Sequence, residues 1–358
     1  MVTSVVEGAS GGSTRRWLDV VRADSDVGEV WMNYQHGLLL ALVCGLVAPG
    51  AFGQTREAAA TRSTPRTPWG DPDLQGLWNH GTITPLERPD EYAGRDRLSQ
   101  EEVAALNLAS ETRATSERRS ELSREQDVAL AYNQVWWDRG ISVGRTSLIT
   151  DPSDGRLPAR TAQANAYAGT REVQRLLAAK RGRVPAEGPE DMDLGDRCLV
   201  YRPVPITSSG YNNHVHVLQS PGYVVILQEQ IHDVRIIPVT DRPELSQDVR
   251  QWLGVSRGYW ESDTLVVETT GFYHQADYLG SHVNRQVVER FTRTAADAIA
   301  YEFTVTDPTI WTRPWTGMVP WRPTEGPIFE YACHEGNYGM TNLLTSSRAE
   351  EGEASPIR

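Results

Sequence analysis

The feature that most constrains this fold is a two-residue hydrophobic period, which begins near residue 197 and continues to about residue 333. Alternation of apolar and polar residues predicts half-buried β-strands, because successive side chains of a strand point to opposite faces. Turn-forming residues, such as Pro221 with Gly222 and Ala296 with Asp297, divide the segment into short strands. We predict these strands at 213–219, 222–229, 232–239, 257–261, 264–270, 286–293, 298–306, 314–319 and 328–333.

Repeated short strands with few helices among them indicate an antiparallel sheet that closes or folds over itself. We therefore predict a mainly β protein with a lipocalin-like or calycin-like barrel, and a β-sandwich is the alternative. Helical patterns precede the strands at 98–131, where Ser99 and Glu102 form a capping box, and at 160–181. We expect this helical N-terminal half to pack around the barrel.

The N-terminal segment predicts export from the cytoplasm. Residues 37–53 form an apolar run that is too short for a comfortable membrane span and ends in small residues, as a signal-peptidase site does. We expect a misassigned start and a signal peptide at 1–53, a flexible linker at 54–68, a single β-rich domain at 69–348 and a disordered tail at 349–358. The mature chain is then periplasmic or secreted without stable membrane insertion, and a single N-terminal anchor helix is the alternative.

Removal of the first 53 residues leaves two cysteines, Cys198 and Cys333. In an oxidising compartment an even pair of cysteines predicts one disulfide. The alternatives are two free buried thiols, or a thiol that binds a metal beside His334.

Several function classes are disfavoured by the sequence. A net charge of −12 and the lack of a basic patch argue against nucleic-acid binding. The P-loop, dinucleotide-binding and H-E-x-x-H patterns are absent from the sequence. The segment 254-GVSRG-258 matches G-x-S-x-G, but a strand is expected after Ser256 where a nucleophile elbow needs a helix.

The segment 212-NNHVHVLQ-219 carries the clearest chemical signal. His214 and His216 are two residues apart on a predicted strand, so both imidazoles lie on one face. Such a pair can bind a divalent metal, act as acid and base, or simply form hydrogen bonds on an ordinary sheet face. The candidates for a third metal ligand are His232, Glu229, Asp233, His334 and Glu335.

Other candidate residues lie in three further segments. Asp233 follows His232, and Glu268 lies among apolar residues, where burial would raise its pKa unless Arg290 or Arg293 pairs with it. The glycine-flanked segment 331-YACHEGNYGM-340 contributes His334 and Glu335. Large aromatic residues suit an apolar or sugar-ring pocket, although core packing is the alternative. The predicted substrate contacts are Asp138, Arg139, Tyr211, Trp260 and Tyr338.

Five long motifs are shared with a known group of proteins. They are 68-PWGDPDLQGLWN-79, 136-WWDRG-140, 256-SRGYWESDTLVVETTGF-272, 301-YEFTVTDPTIWTRPW-315 and 330-EYACHEGNYG-339. In these motifs the chain resembles a family of secreted bacterial proteins that are called hypothetical and have no established activity. The resemblance covers most of the mature chain and implies secretion and a single domain. It implies no catalytic residues.

These observations predict an exported enzyme that acts on a small, partly apolar molecule in a barrel pocket. The expected chemistry is acid–base catalysis of the lyase, isomerase, cyclase or hydrolase kind, with His214, His216 and His334 as acid, base or orienting groups. Glu335, Asp233 and Glu268 would be their carboxylate partners. No cofactor is expected in this case. The alternatives are a non-catalytic lipocalin-like binding protein and a metalloenzyme that uses His214 and His216.

Overall fold

The computed structural model describes residues 64–113, 137–138, 140–180, 185–201, 204–240, 245–246, 248–333 and 336–354. These residues form ten strands of one antiparallel sheet. The strands are β1 Gly76–Asn79, β2 Ile149–Asp151, β3 His214–Ser220, β4 Tyr223–Gln228, β5 Val234–Pro238, β6 Val255–Glu261, β7 Thr264–Thr270, β8 Gln286–Ala295, β9 Ala298–Thr306 and β10 Trp315–Pro323. The helices are α1 Gln100–Arg113, α2 Ala162–Ala168, α3 Arg171–Lys180 and α4 Tyr338–Ala354.

The strands follow the order β5-β4-β3-β1-β10-β9-β8-β7-β6, and β2 pairs with β10 outside this path. Short β1 joins the two hairpin series, because it pairs with β3 on one side and β10 on the other. The sheet curls into a nearly closed barrel. The two end strands meet through side chains: Arg235 of β5 reaches Ser256 of β6, and Arg257 of β6 donates to the Thr240 carbonyl. We call this junction of β5 and β6 the seam.

Large aromatic side chains fill the inside of the barrel. Strands β8, β9 and β10 alternate buried and less buried residues, as the two-residue period predicts. The fully buried rings of Phe291, Tyr301, Phe303, Trp315 and Trp321 contact one another with centroid distances of 4.9–5.8 Å. The interior of these strands is therefore a packed core.

A buried polar cluster crosses this core. The Arg235 guanidinium donates to both carboxylate oxygens of Glu289, at 3.0 and 2.6 Å, and also to the hydroxyls of Ser256 and Thr269. Tyr301 donates its hydroxyl to Glu289 at 2.8 Å. Burial and the charge of Glu289 raise the pKa of Tyr301 well above its usual value, so it remains a donor. One arginine of β5 thus bonds residues of β6, β7 and β8.

The structure confirms most of the predicted strands and the capping box. The Ser99 amide donates to Glu102, and the Glu102 amide donates to the Ser99 hydroxyl. The strand predicted at 328–333 is wrong: these residues form no strand, and the Phe329 amide donates to a carboxylate of Glu229 instead of a neighbouring strand. Residues 349–354, expected in a disordered tail, continue helix α4. None of the helices in the described part of the chain has the length and apolar character that a bilayer span requires.

Cys198 and Cys333 form the predicted disulfide, with their Cα atoms 5.7 Å apart. The bridge joins positions separated by 135 residues. Closure of so long a loop restricts the unfolded chain, which in the chain-entropy model stabilises the fold by about 5 kcal/mol. The disulfide attaches the segment before α4 to residues 195–198, where Asn337 also donates to the Asp196 carbonyl.

Replacement of one partner of the buried ion pair should destabilise the barrel strongly. We expect Glu289→Leu alone to lower the free energy of unfolding by about 3–5 kcal/mol, because it leaves the buried Arg235 charge without its carboxylate. The double variant Arg235→Met, Glu289→Leu should recover part of this loss, because no buried charge remains. Urea unfolding followed by circular dichroism measures both values.

The control is Arg313→Met, which removes an exposed ion pair with Asp151. Its effect should stay within about 1 kcal/mol. A Glu289→Leu variant as stable as this control would contradict the role assigned to the ion pair.

Candidate functional site

A histidine–glutamate pair lies on the outer face of the sheet, where β3 begins and β4 ends. The His214 Nδ1 lies 3.0 Å from Glu229 Oε2. The Glu229 amide also donates to the His214 carbonyl at 2.9 Å, so backbone and side chain fix the same two residues. The Glu229 side chain is 2 % exposed, whereas that of His214 is 21 % exposed. The carboxylate is thus enclosed and the imidazole remains accessible.

The other nitrogen of His214 faces an asparagine. Asn79, directly opposite His214 on β1, places its Nδ2 3.2 Å from His214 Nε2. The Asn79 Oδ1 accepts from the Gly81 amide at 2.7 Å, and its Nδ2 donates to Asp138 at 2.6 Å. These contacts fix the orientation of the Asn79 amide group, so Nε2 accepts a hydrogen bond from it. The pattern therefore assigns the resting His214 as neutral, with its proton on Nδ1 facing Glu229.

Asp138 reaches this site because the fully buried Asn213 holds its segment in place. Asn213 Nδ2 donates to the Asp138 carbonyl at 2.5 Å and to the Ser209 carbonyl at 2.9 Å. Gly140 follows with φ +67°, and a Cβ there would lie 2.0 Å from the backbone of Gly81. A side chain at this position would push the segment away from β1, so glycine allows the close approach.

The surroundings shift the pKa values of the pair in opposite directions. The hydrogen bond to Glu229, supported by its charge and that of Asp138, raises the pKa of His214 despite partial burial. Burial alone would raise the pKa of Glu229, but hydrogen bonds from His214, the Phe329 amide and Asn212 outweigh it and lower that pKa. Glu229 therefore remains a carboxylate and favours the protonated form of His214.

Two aromatic rings border this network. Trp137 precedes Asp138, and its ring meets that of Tyr211 edge-on, at a centroid distance of 6.0 Å. The Trp137 ring also lies against Gly210, where a Cβ would be 2.5 Å from it. The site thus combines an accessible imidazole with partly buried aromatic surface. We expected it inside a barrel pocket, but the burial pattern of β3 puts Val215 and Val217 in the core and His214 on the other face.

Three further predicted residues, His216, His232 and Asp233, lie near this pair. The described side-chain contacts do not connect them to it. His216 shares the face of His214, as alternation predicts, and lies between Leu77 of β1 and Leu227 of β4. His232 is exposed at the end of the short turn Gln230–His232. Asp233 directly precedes β5, and burial raises its pKa to about 7.

The remaining predicted residues lie elsewhere. Glu268 and Trp260 line a cleft beside the seam. Glu268 accepts from the Tyr259 hydroxyl at 3.2 Å, and Arg290 pairs with Glu261 instead of Glu268. Tyr338 is 74 % exposed at the start of α4. The predicted residues Arg139, His334 and Glu335 lie outside the described part of the chain.

A metal-binding cluster was among the expectations for this region. Within the residues that the structure describes, no three histidine, cysteine, aspartate or glutamate side chains come together as metal ligands would. The described side-chain contacts of His214 are with Glu229 and Asn79, and they fix the orientation of its ring.

Asn79 and Asn213 belong to this site, although neither was among the site residues predicted from the sequence. The sequence offers only weak signals for them: Asn79 ends β1 beside a histidine and a glycine, and Asn213 directly precedes β3. Their roles depend on pairing between segments that are 59 to 135 residues apart. Comparison of the sequence with protein-family models and curated proteins, and of the fold with solved structures, finds no match.

The raised pKa of Asp233 predicts a pH-dependent effect on stability. Its carboxyl binds a proton more tightly in the folded state, so its contribution is most favourable at acidic pH and is lost as the pH rises from about 4 through about 7. We therefore expect Asp233→Asn to stabilise the protein at pH 8 by about 1–3 kcal/mol, after allowance for solvent screening, and to change little at pH 4. Urea unfolding at both pH values measures the difference; equal effects at the two would contradict it.

Proposed function

We propose that the chain is an exported enzyme that uses His214 and Glu229 for acid–base chemistry on a small, partly apolar molecule. One observation carries this proposal: an accessible imidazole donates to an enclosed carboxylate that is held at both oxygens. This arrangement fixes the tautomer of a histidine and stabilises the imidazolium that forms when it takes up a proton.

The proton transfer would occur at Nε2 of His214. A substrate C–H or O–H group takes the place of the Asn79 amide contact and gives its proton to Nε2, and Glu229 stabilises the resulting positive charge. The Asn79 amide, still held by Asp138, can then donate its released hydrogen to negative charge that develops on the substrate. Return of the proton from Nε2 to another substrate atom completes a lyase, isomerase or cyclase reaction. In a hydrolase reaction the O–H group is that of a water molecule, whose oxygen attacks the substrate, and the proton goes to the leaving group.

The aromatic neighbours support a partly apolar substrate. Trp137 and Tyr211 offer ring surface next to Asp138 and Asn213, so an apolar group can pack beside the polar network. The packed aromatic interior of the barrel favours this outer-face site over a lipocalin-like carrier with an internal ligand. The Cys198–Cys333 disulfide supports a periplasmic or secreted location, since such bonds persist in oxidising compartments.

The test is a panel of esters, lactones, epoxides and β-hydroxy carbonyl compounds, assayed with the purified full chain. For any compound that is turned over, His214→Gln should lower kcat/KM by about 100-fold or more, because it removes the group that transfers the proton. Glu229→Gln should lower kcat/KM by about tenfold or more and move the acidic limb of the pH–rate profile to lower pH, because the imidazolium loses its carboxylate.

His216→Gln is the matched control, since it changes a histidine two residues away on the same strand face. It should retain kcat/KM within about threefold. Turnover that survives His214→Gln, or that falls equally in His216→Gln, would contradict the proposal. Circular dichroism of each variant establishes that the fold is retained.

A further inference from the structure

A cleft of about 450 Å³ lies beside the seam, on a different set of strands from the histidine–glutamate pair. Its walls include Thr240, which follows β5, and Arg257, Tyr259 and Trp260 of β6, with Glu268 of β7. A volume of this size is within the range of small-molecule sites, which spans roughly 300–1,000 Å³. We call it the seam cleft.

The charged side chains of the seam cleft balance each other. Arg257 and Glu268 lie directly opposite on β6 and β7, yet within the described part of the chain they form no ion pair with each other. Among the described residues, Arg257 donates to the Thr240 carbonyl at 3.3 Å, and Glu268 accepts from the Tyr259 hydroxyl. Further donors on Arg257 and acceptor positions on Glu268 remain for a ligand. An anion would meet the carboxylate and a cation would meet the guanidinium, so the pair favours a neutral ligand.

An exposed aromatic ring completes the seam cleft. Tyr259 is 40 % exposed, although its hydroxyl is engaged by Glu268. A tyrosine ring in this position offers a flat apolar surface beside hydrogen-bonding groups. Sugars present this combination, since their rings have an apolar C–H face and an edge of hydroxyls.

We propose that the seam cleft binds a neutral polyhydroxylated ring, that is, a mono- or disaccharide. The sugar ring stacks on Tyr259, and its hydroxyls form hydrogen bonds with Arg257 and Glu268, which lie on the same face of the sheet. The proposal is independent of the chemistry at His214.

The test is ligand-detected NMR and calorimetry on the full chain with five named probes: glucose, galactose, N-acetylglucosamine, maltose and cellobiose. At least one should bind with a Kd of about 0.1–10 mM. Tyr259→Ala and Glu268→Gln should each weaken that binding by about tenfold or more, because a stacking ring and an acceptor are lost. Both side chains are exposed, so the fold should persist in these variants.

Tyr167→Ala is the matched control, since it removes another exposed tyrosine, which lies on α2 and does not line the seam cleft. It should leave sugar binding within about twofold of the parent, and His214→Gln should do the same. The proposal is overturned if none of the five sugars binds at about 20 mM. It is also overturned if binding survives both cleft variants, or if Tyr167→Ala weakens binding as much as they do.

Discussion

The fold depends on one arginine that spans the inside of the barrel. Because β5 and β6 are the two end strands of the sheet, side chains link them across the seam. Arg235 does so through Ser256, and it also bonds Thr269 and Glu289 on the next two strands. A buried charge is tolerated only when it is paired and hydrogen-bonded, which the Glu289 carboxylate ensures. This cluster and the aromatic core occupy the interior, so chemistry has to be sought on the outer face and at the seam.

On the outer face, the strand itself gives His214 no special environment. Segments outside the strands make it a site: Phe329 donates to one oxygen of Glu229, and Asp138 orients the Asn79 amide that faces the imidazole. The sheet supplies a rigid base, and the loops supply the groups that determine tautomer and charge. Residues 328–333, predicted as a strand, belong to one of these segments, and the Phe329 amide bonds Glu229 instead of a neighbouring strand.

The local sequence pattern predicted the bounds and faces of strands, but it did not predict the contacts of the segments between them. Strands β7 and β9 begin and end where the two-residue period predicts, because alternation reports burial directly. The shared face of His214 and His216 followed from the same rule. The partnership of His214 with Asn79 could not be derived, because it depends on register between strands 135 residues apart. Its partnership with Glu229 depends on the register of the β3–β4 hairpin. The burial of Arg235 was equally hidden, since its neighbour Ile236 is 64 % exposed, the reverse of what hydrophobicity predicts.

In the proposed mechanism, the carboxylate of Glu229 raises the proton affinity of His214. An NMR pH titration of the His214 imidazole, in the parent and in Glu229→Gln, measures this directly. We predict a parent pKa above the ordinary value of 6.5, a lower pKa in the variant, and a neutral form with its proton on Nδ1 in the parent. A parent pKa at or below 6.5, or one that Glu229→Gln leaves unchanged, would contradict the central claim.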